Sequence, residues 1–286
     1  MQHFANPARF LAFTRPIWPA ALIGGAALTA LGLGWGLFGT PPDYQQGQSA
    51  KIMYVHVPAA WMAMFVYMTM ASASLVGFVW KHPVADMTAK SAAPIGAAFT
   101  GLALVTGALW GKPTWGTYWV WDARLTSVLV LFFMYLGYIA LWEAIEDQRK
   151  AARAAAILAL VGVVNIPIIK FSVDWWNSLH QPASISSLER IFDPAIHPSM
   201  LWPLLIVWVG YMVLFVGLVL VRTRSEILAR RLERLRLQHA SQETRVRDQD
   251  ILGAPDLAEP DLAGLAPSGQ FKGGPFEGGP FKGGQG

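Results

Sequence analysis

Residues 126–145 read TSVLVLFFMYLGYIALWEAI, a run whose one charged residue is Glu143. At about 1.5 Å of rise per residue, a helix of this length crosses the ~30 Å of hydrocarbon in a bilayer. Five more apolar runs lie at about 17–38, 55–80, 93–110, 154–172 and 200–222. Hydrocarbon offers backbone N–H and C=O groups no partner, so such runs must satisfy them internally as helices. The sequence thus predicts an all-α integral membrane protein with six transmembrane helices. The first run is longer than the ~7–15 apolar residues of a secretory signal and is read as a span.

Composition agrees. Of 286 residues, 54% are hydrophobic and 14% charged, against about 25% charged in a soluble domain. The absence of cysteine excludes disulfides, thiolate-bound metals, iron–sulfur clusters and a thiol nucleophile. The net charge of +4 does not point to nucleic acid, because the basic residues flank apolar runs, where they set topology. Arg9, Arg15, Lys81, Lys90, Arg149, Lys150, Arg153, Arg222, Arg224, Arg230 and Arg231 mark one side. The other has Lys51, Lys112, Arg124, Lys170 and Arg190. The positive-inside rule therefore predicts both termini in the cytoplasm and the first, third and fifth connections outside.

Three segments are expected: a membrane domain over 1–224, a charged cytoplasmic helix over 225–250 with Leu228, Leu232 and Leu235 on one face, and a tail over 251–286. The tail ends FKGGPFEGGPFKGGQG, too poor in branched apolar residues to bury a core, and is expected to be disordered. Gly32 with Gly36, and Gly107 with Gly111, have the four-residue spacing that permits close helix approach. GALWGKP at 107–113 is one residue short of a phosphate-binding loop, with proline after the lysine, so no nucleotide site is expected.

The third connection, WGKPTWGTYWVWDARLTS over 110–127, gathers Trp110, Trp115, Tyr118, Trp119 and Trp121 beside Asp122 and Arg124. Two readings stay open. Tryptophan and tyrosine favour the headgroup region as an interfacial belt; concentrated in one glycine- and proline-broken loop, they also suit a surface for a flat conjugated ligand. Asp122 and Arg124 either pair with each other, or Arg124 and Lys112 receive ligand carboxylates. His56, in KIMYVHVPAAW, and His180, in SVDWWNSLHQP, fall on the same side, each near tryptophan. A lone interfacial histidine is usually structural; two beside an aromatic surface are the parts for axial ligation of haem iron. His197, between Pro194 and Pro198, reads as a helix start. Inside the spans Asn165 is the clearest polar residue, with Pro167 predicting a kink.

WGTYWVWDARLTS resembles the tryptophan-rich "WWD" signature of haem-handling membrane proteins in c-type cytochrome maturation. PPDYQQGQSAKIMYVHVPAAW, APIGAAFTGLALVTGALWGKPTWG and VVNIPIIKFSVDWWNSLHQPASI are similar to the haem exporter protein C family, CcmC, over about 40–200. The resemblance implies a bacterial inner-membrane protein that is not itself an enzyme. It would hold haem b at its periplasmic face and pass it to the haem chaperone CcmE, with CcmD and the ABC subunits CcmA and CcmB as associates. It further implies His56 and His180 as axial ligands, with Trp115, Trp119, Trp121 and Asp122 in the signature loop that supports the porphyrin; Tyr118 of the same loop and Arg124, as a partner for haem propionates, complete the expected haem-binding residues. The glycine–proline–phenylalanine tail departs from the family pattern. A permease for haem or another aromatic solute, and a scaffold anchored by its tryptophans, are the competing readings.

Overall fold

Four helices of this chain begin where a side chain accepts the first free N–H groups. Asn6 caps α1 (Pro7–Thr14) by accepting from Ala8 at 2.9 Å, and His82 caps α4 (Pro83–Trp115) through Nδ1, which accepts from Ala85 at 3.1 Å. Asp122 caps α5 (Ala123–Ala144) by accepting from Leu125 at 2.7 Å, and Asp147 caps α6 (Gln148–Gly162) by accepting from Arg149 and Lys150. Proline follows the cap of α1 and α4, at the position where its missing N–H costs nothing.

The remaining helices are α2 (Ile17–Phe38), α3 (Met53–Trp80, entered through a 3₁₀ turn at Gln48–Ile52), α7 (Asn165–Trp175) and α8 (Pro198–Gly253). This computed structural model describes residues 6–176, 178–180 and 196–253. Among them are six helical stretches long and apolar enough to span a membrane, and no strand. The chain divides into two compact units, Met1–Glu233 and Arg234–Gly286. The tail expected over 251–286 lies outside the described residues but for 251–253, which are helical.

Three boundaries differ from the sequence expectation. The third span covers Pro83–Trp115 rather than about 93–110, so Trp110, Lys112 and Trp115 are helical and 116–122 are the irregular part of the connection. The helix ends where Gly116 takes a φ of 78° and its N–H bonds the Lys112 carbonyl at 3.0 Å. The second span starts at Met53 rather than about 55, which places His56 in the first turn of α3 and Pro58 in its second. The fifth span is two helices. Pro167 cannot donate to the Val163 carbonyl, which Ile166 bonds instead at 3.0 Å, and Val163 and Val164 likewise bond three residues back. Asn165, just past this break, donates to the Ser127 carbonyl of α5 at 2.8 Å.

Small residues set how closely helices pack. Ala59, Ala63, Ala71, Ala89, Ala93 and Ala103 are buried in the core shared by α3 and α4. A Cβ on Gly32 would meet Val207 at 2.7 Å, and one on Gly210 would meet Thr29 at 2.7 Å, so α2 and α8 touch backbone to backbone. Gly36 makes room for the Tyr54 ring.

Most hydroxyls within the bundle find partners nearby. Tyr135 donates to the Ala63 carbonyl at 2.8 Å. Thr40, Thr69, Thr88, Thr100, Thr106 and Thr223 each donate to the carbonyl four residues back in or beside their own helix. At the end opposite the tryptophan loop, Glu226 of α8 accepts from Lys90 of α4 and from Arg230, both at 2.9 Å. Arg230 also reaches Gln148 of α6 at 3.0 Å, fastening three spans together.

Gly25 and Gly24 make a matched test. A methyl group on Gly25 overlaps the Leu214 backbone, whereas one on Gly24 meets nothing within 4 Å. Gly25→Ala is expected to destabilise the purified protein by about 1–3 kcal/mol through overpacking. Gly24→Ala should change stability by less than about 0.5 kcal/mol; thermal unfolding in detergent measures both.

Candidate functional site

The residues singled out in the sequence meet at one end of the bundle. His56, in the first turn of α3, turns its imidazole toward α4. Nδ1 lies 3.0 Å from the Ala103 carbonyl and 3.2 Å from Thr106 Oγ1. Thr106 gives its own hydrogen to the Leu102 carbonyl at 2.6 Å, so both atoms facing Nδ1 accept. That assigns the proton to Nδ1 and leaves the Nε2 lone pair free. The ring fits because of Gly107, where a Cβ would stand 2.8 Å from His56 Cε1. The Trp110 ring meets the imidazole edge-on, centroids 5.7 Å apart, and its Nε1 donates to Gln46 of the first connection at 2.7 Å.

His180 is held from the other side. Its ring lies 4.9 Å from that of Trp115, at the end of α4. Its backbone N–H donates to Ser178 Oγ at 3.1 Å, and Ser178 in turn donates to Asp122 Oδ2. Asp122 thus works twice, with one oxygen on the α5 cap and the other on the segment that carries His180. His180 Nδ1 is buried 3.8 Å from Asp122 Oδ2, beyond hydrogen-bond reach, and has no partner. Burial, then the Arg124 guanidinium, and to a lesser degree the His56 ring hold the His180 pKa down at about 4, while Asp122 pulls it up. The two imidazoles are thus near enough to sense each other.

Arg124 and Asp122 do not pair. Arg124 donates instead to Ser172 Oγ at 3.2 Å and to the Ile169 and Lys170 carbonyls at 3.5 and 3.3 Å, clamping α5 to the end of α7. Lys112 donates to the Gly116 carbonyl at 3.0 Å and lies over the Tyr118 ring, stapling the turn. Trp119 meets Trp121 edge-on at 5.5 Å, and its Nε1 is buried without an acceptor. Trp121 is 76% exposed and Tyr118 55%. Trp175 stacks on Phe171 at the end of α7, adding to this aromatic rim. His197 caps its own helix start, bonding Ser199 through Nδ1.

The model of the family described as "CcmC: Heme exporter protein C" matches residues 1–238. This chain is a member of the haem exporter protein C family. Curated relatives named "Heme exporter protein C" include one from Bradyrhizobium diazoefficiens, 56% identical over 83% of this chain and 89% of that protein. One from Escherichia coli K12 is 46% identical over 80% and 91%. A Marchantia polymorpha protein named "Putative cytochrome c biosynthesis ccmC-like mitochondrial protein" is 48% identical over 71% and 84%.

Sequence reading missed the residues that orient the histidines: Thr106, the Ala103 carbonyl, Gln46 and Ser178. These contacts join positions far apart in the chain, and no local pattern announces them. Gly107 was visible only as half of a glycine pair, read as a site of helix approach, whereas its neighbour is the His56 ring.

The depressed His180 pKa has a sign that can be checked. An unfolded histidine takes its proton near pH 6.5; His180 resists to about 4, so acidification between those values favours unfolding. Imidazole ¹⁵N resonances of the haem-free protein should give a His180 midpoint near 4. Arg124→Gln should raise it and Asp122→Asn lower it. A midpoint near 6.5 would mean that the ring is solvated.

Proposed function

We propose that this end of the bundle holds haem b as cargo between His56 and His180. From there the protein presents it to the periplasmic haem chaperone CcmE during c-type cytochrome maturation. The carrying observation is the fixed His56 tautomer: Nδ1 hydrogen-bonded to Ala103 and Thr106, Nε2 left with a free lone pair. Ligating histidines are typically oriented in this way through their second nitrogen.

Three further features support the reading. His180 Nδ1 has no partner and faces a carboxylate 3.8 Å away; a small rotation lets it donate to Asp122 and frees Nε2 for iron. A pKa of about 4 keeps that ring neutral at physiological pH, as ligation requires. The unpartnered Trp119 Nε1 is a donor available to a polar group of the cargo.

Haem supplies the redox-active iron and the reactive porphyrin edge. The protein binds, orients and shields it. The exposed Trp121 and Tyr118 suit a rim against which a partner closes. The protein would work in the bacterial inner membrane with both termini in the cytoplasm. It would associate with CcmD and the ABC subunits CcmA and CcmB, and orient the chaperone's reaction without an active site of its own.

The test is the visible spectrum of detergent-purified protein, oxidised and reduced. Wild type should give six-coordinate haem b, and His56→Ala and His180→Ala should each lose one axial ligand, with added imidazole restoring the spectrum. Gly107→Ala, which touches no haem in this reading, should weaken haem binding about 10–100-fold by displacing His56. Identical spectra for all four proteins would overturn the ligand assignment.

A further inference from the structure

A concavity lies behind the support of His56, sharing Thr106 with it. It has a volume of about 470 Å³, and its apolar wall is Leu37, Phe38, Ile52, Val55 and Leu109. Phe38, the last residue of α2, is 88% exposed, and Leu109 is 54% exposed, so the groove opens outward from the bundle. One cation stands in it. Lys51, in the 3₁₀ turn before α3, donates to the Leu37 carbonyl at 2.8 Å. No carboxylate lies within ion-pair distance of it among the described residues.

Position and chemistry agree on an occupant. Phe38 ends one candidate span and Lys51 stands in the first turn of the next, Gln48–Trp80, which is where a lysine is expected to meet the headgroup layer. An ammonium carries three donors; the Leu37 carbonyl takes one, and the others are free for an anion. Directly below them is an open apolar wall. An amphiphile with a phosphate at headgroup depth and an alkyl chain beneath it matches both parts.

The groove is also fixed in shape. The Leu37 bond holds Lys51, and Thr106 on the inner wall is held by the Leu102 carbonyl and by His56. We propose that this groove is a binding site for one anionic phospholipid, its phosphate on Lys51 and an acyl chain against Phe38, Val55 and Leu109. The site is independent of the haem reading. It shares the Thr106 wall with His56, so the lipid would pack against the back of that histidine's support.

The full-length protein, reconstituted in phosphatidylcholine membranes, is titrated with spin-labelled phosphatidylglycerol or spin-labelled phosphatidylcholine. The electron spin resonance signal of motionally restricted lipid is then measured. One lysine at an anionic interface corresponds to about fivefold selectivity for the glycerol lipid. Wild type and Lys150→Gln, a charge loss at the opposite end, should show it. Lys51→Gln should bring the ratio close to one while Lys51→Arg retains it. Leu109→Trp, which fills the groove, should reduce restricted phosphatidylglycerol with helix content unchanged. The proposal falls if wild type shows no preference or if Lys51→Gln behaves like Lys150→Gln. It also falls if added haem displaces the labelled lipid one for one, which would make the groove a haem site.

Discussion

The close approach of α3 and α4 is the contact on which the rest depends. Alanine side chains along the seam let the two backbones come near enough for the His56 ring to reach a carbonyl of the neighbouring helix. A larger residue at Ala59, Ala63 or Ala103 would separate the helices. The hydrogen bond that decides which imidazole nitrogen is free would go with them. In hydrocarbon, apolar burial gives helices little reason to associate, and fit between small residues takes over that role. Here the same fit that holds the bundle together also sets a tautomer.

The aromatic end is assembled from connections with different anchors. Gln46 ties the first to Trp110, Asp122 ties the third to Ser178, and Arg124 ties the start of α5 to the end of α7. Asp122 and Arg124, for which mutual pairing was one of two sequence readings, thus serve as two separate fasteners. His180 depends on both. Its backbone hangs from Ser178, and Arg124, which holds the adjoining helix, also lowers its proton affinity.

Much of this was legible beforehand because hydrocarbon admits so few solutions. Six apolar runs of sufficient length required six membrane-spanning stretches, and the tryptophans at 110–121 and the histidines at 56 and 180, grouped in the sequence reading, lie at one end of the bundle. Helix limits were harder. Trp110 and Trp115 read as loop because Gly111 and Pro113 interrupt the pattern, yet helical geometry runs on to Gly116, where φ turns positive. The fifth span read as one helix with a kink, because the sequence shows where Pro167 withholds a donor but not how neighbouring carbonyls rearrange around it. The orienting contacts to Thr106, Ala103 and Gln46 were illegible for a different reason: they depend on the angular phase of two helices, which no single-segment pattern records.

Six threonines show how a hydroxyl is accommodated in these helices. Each hydroxyl hydrogen among Thr40, Thr69, Thr88, Thr100, Thr106 and Thr223 is committed to a carbonyl four residues back, so none is available to hand a proton to a neighbouring helix. These side chains satisfy themselves locally. A helix can therefore carry these hydroxyls through hydrocarbon without needing a polar partner on a neighbouring helix.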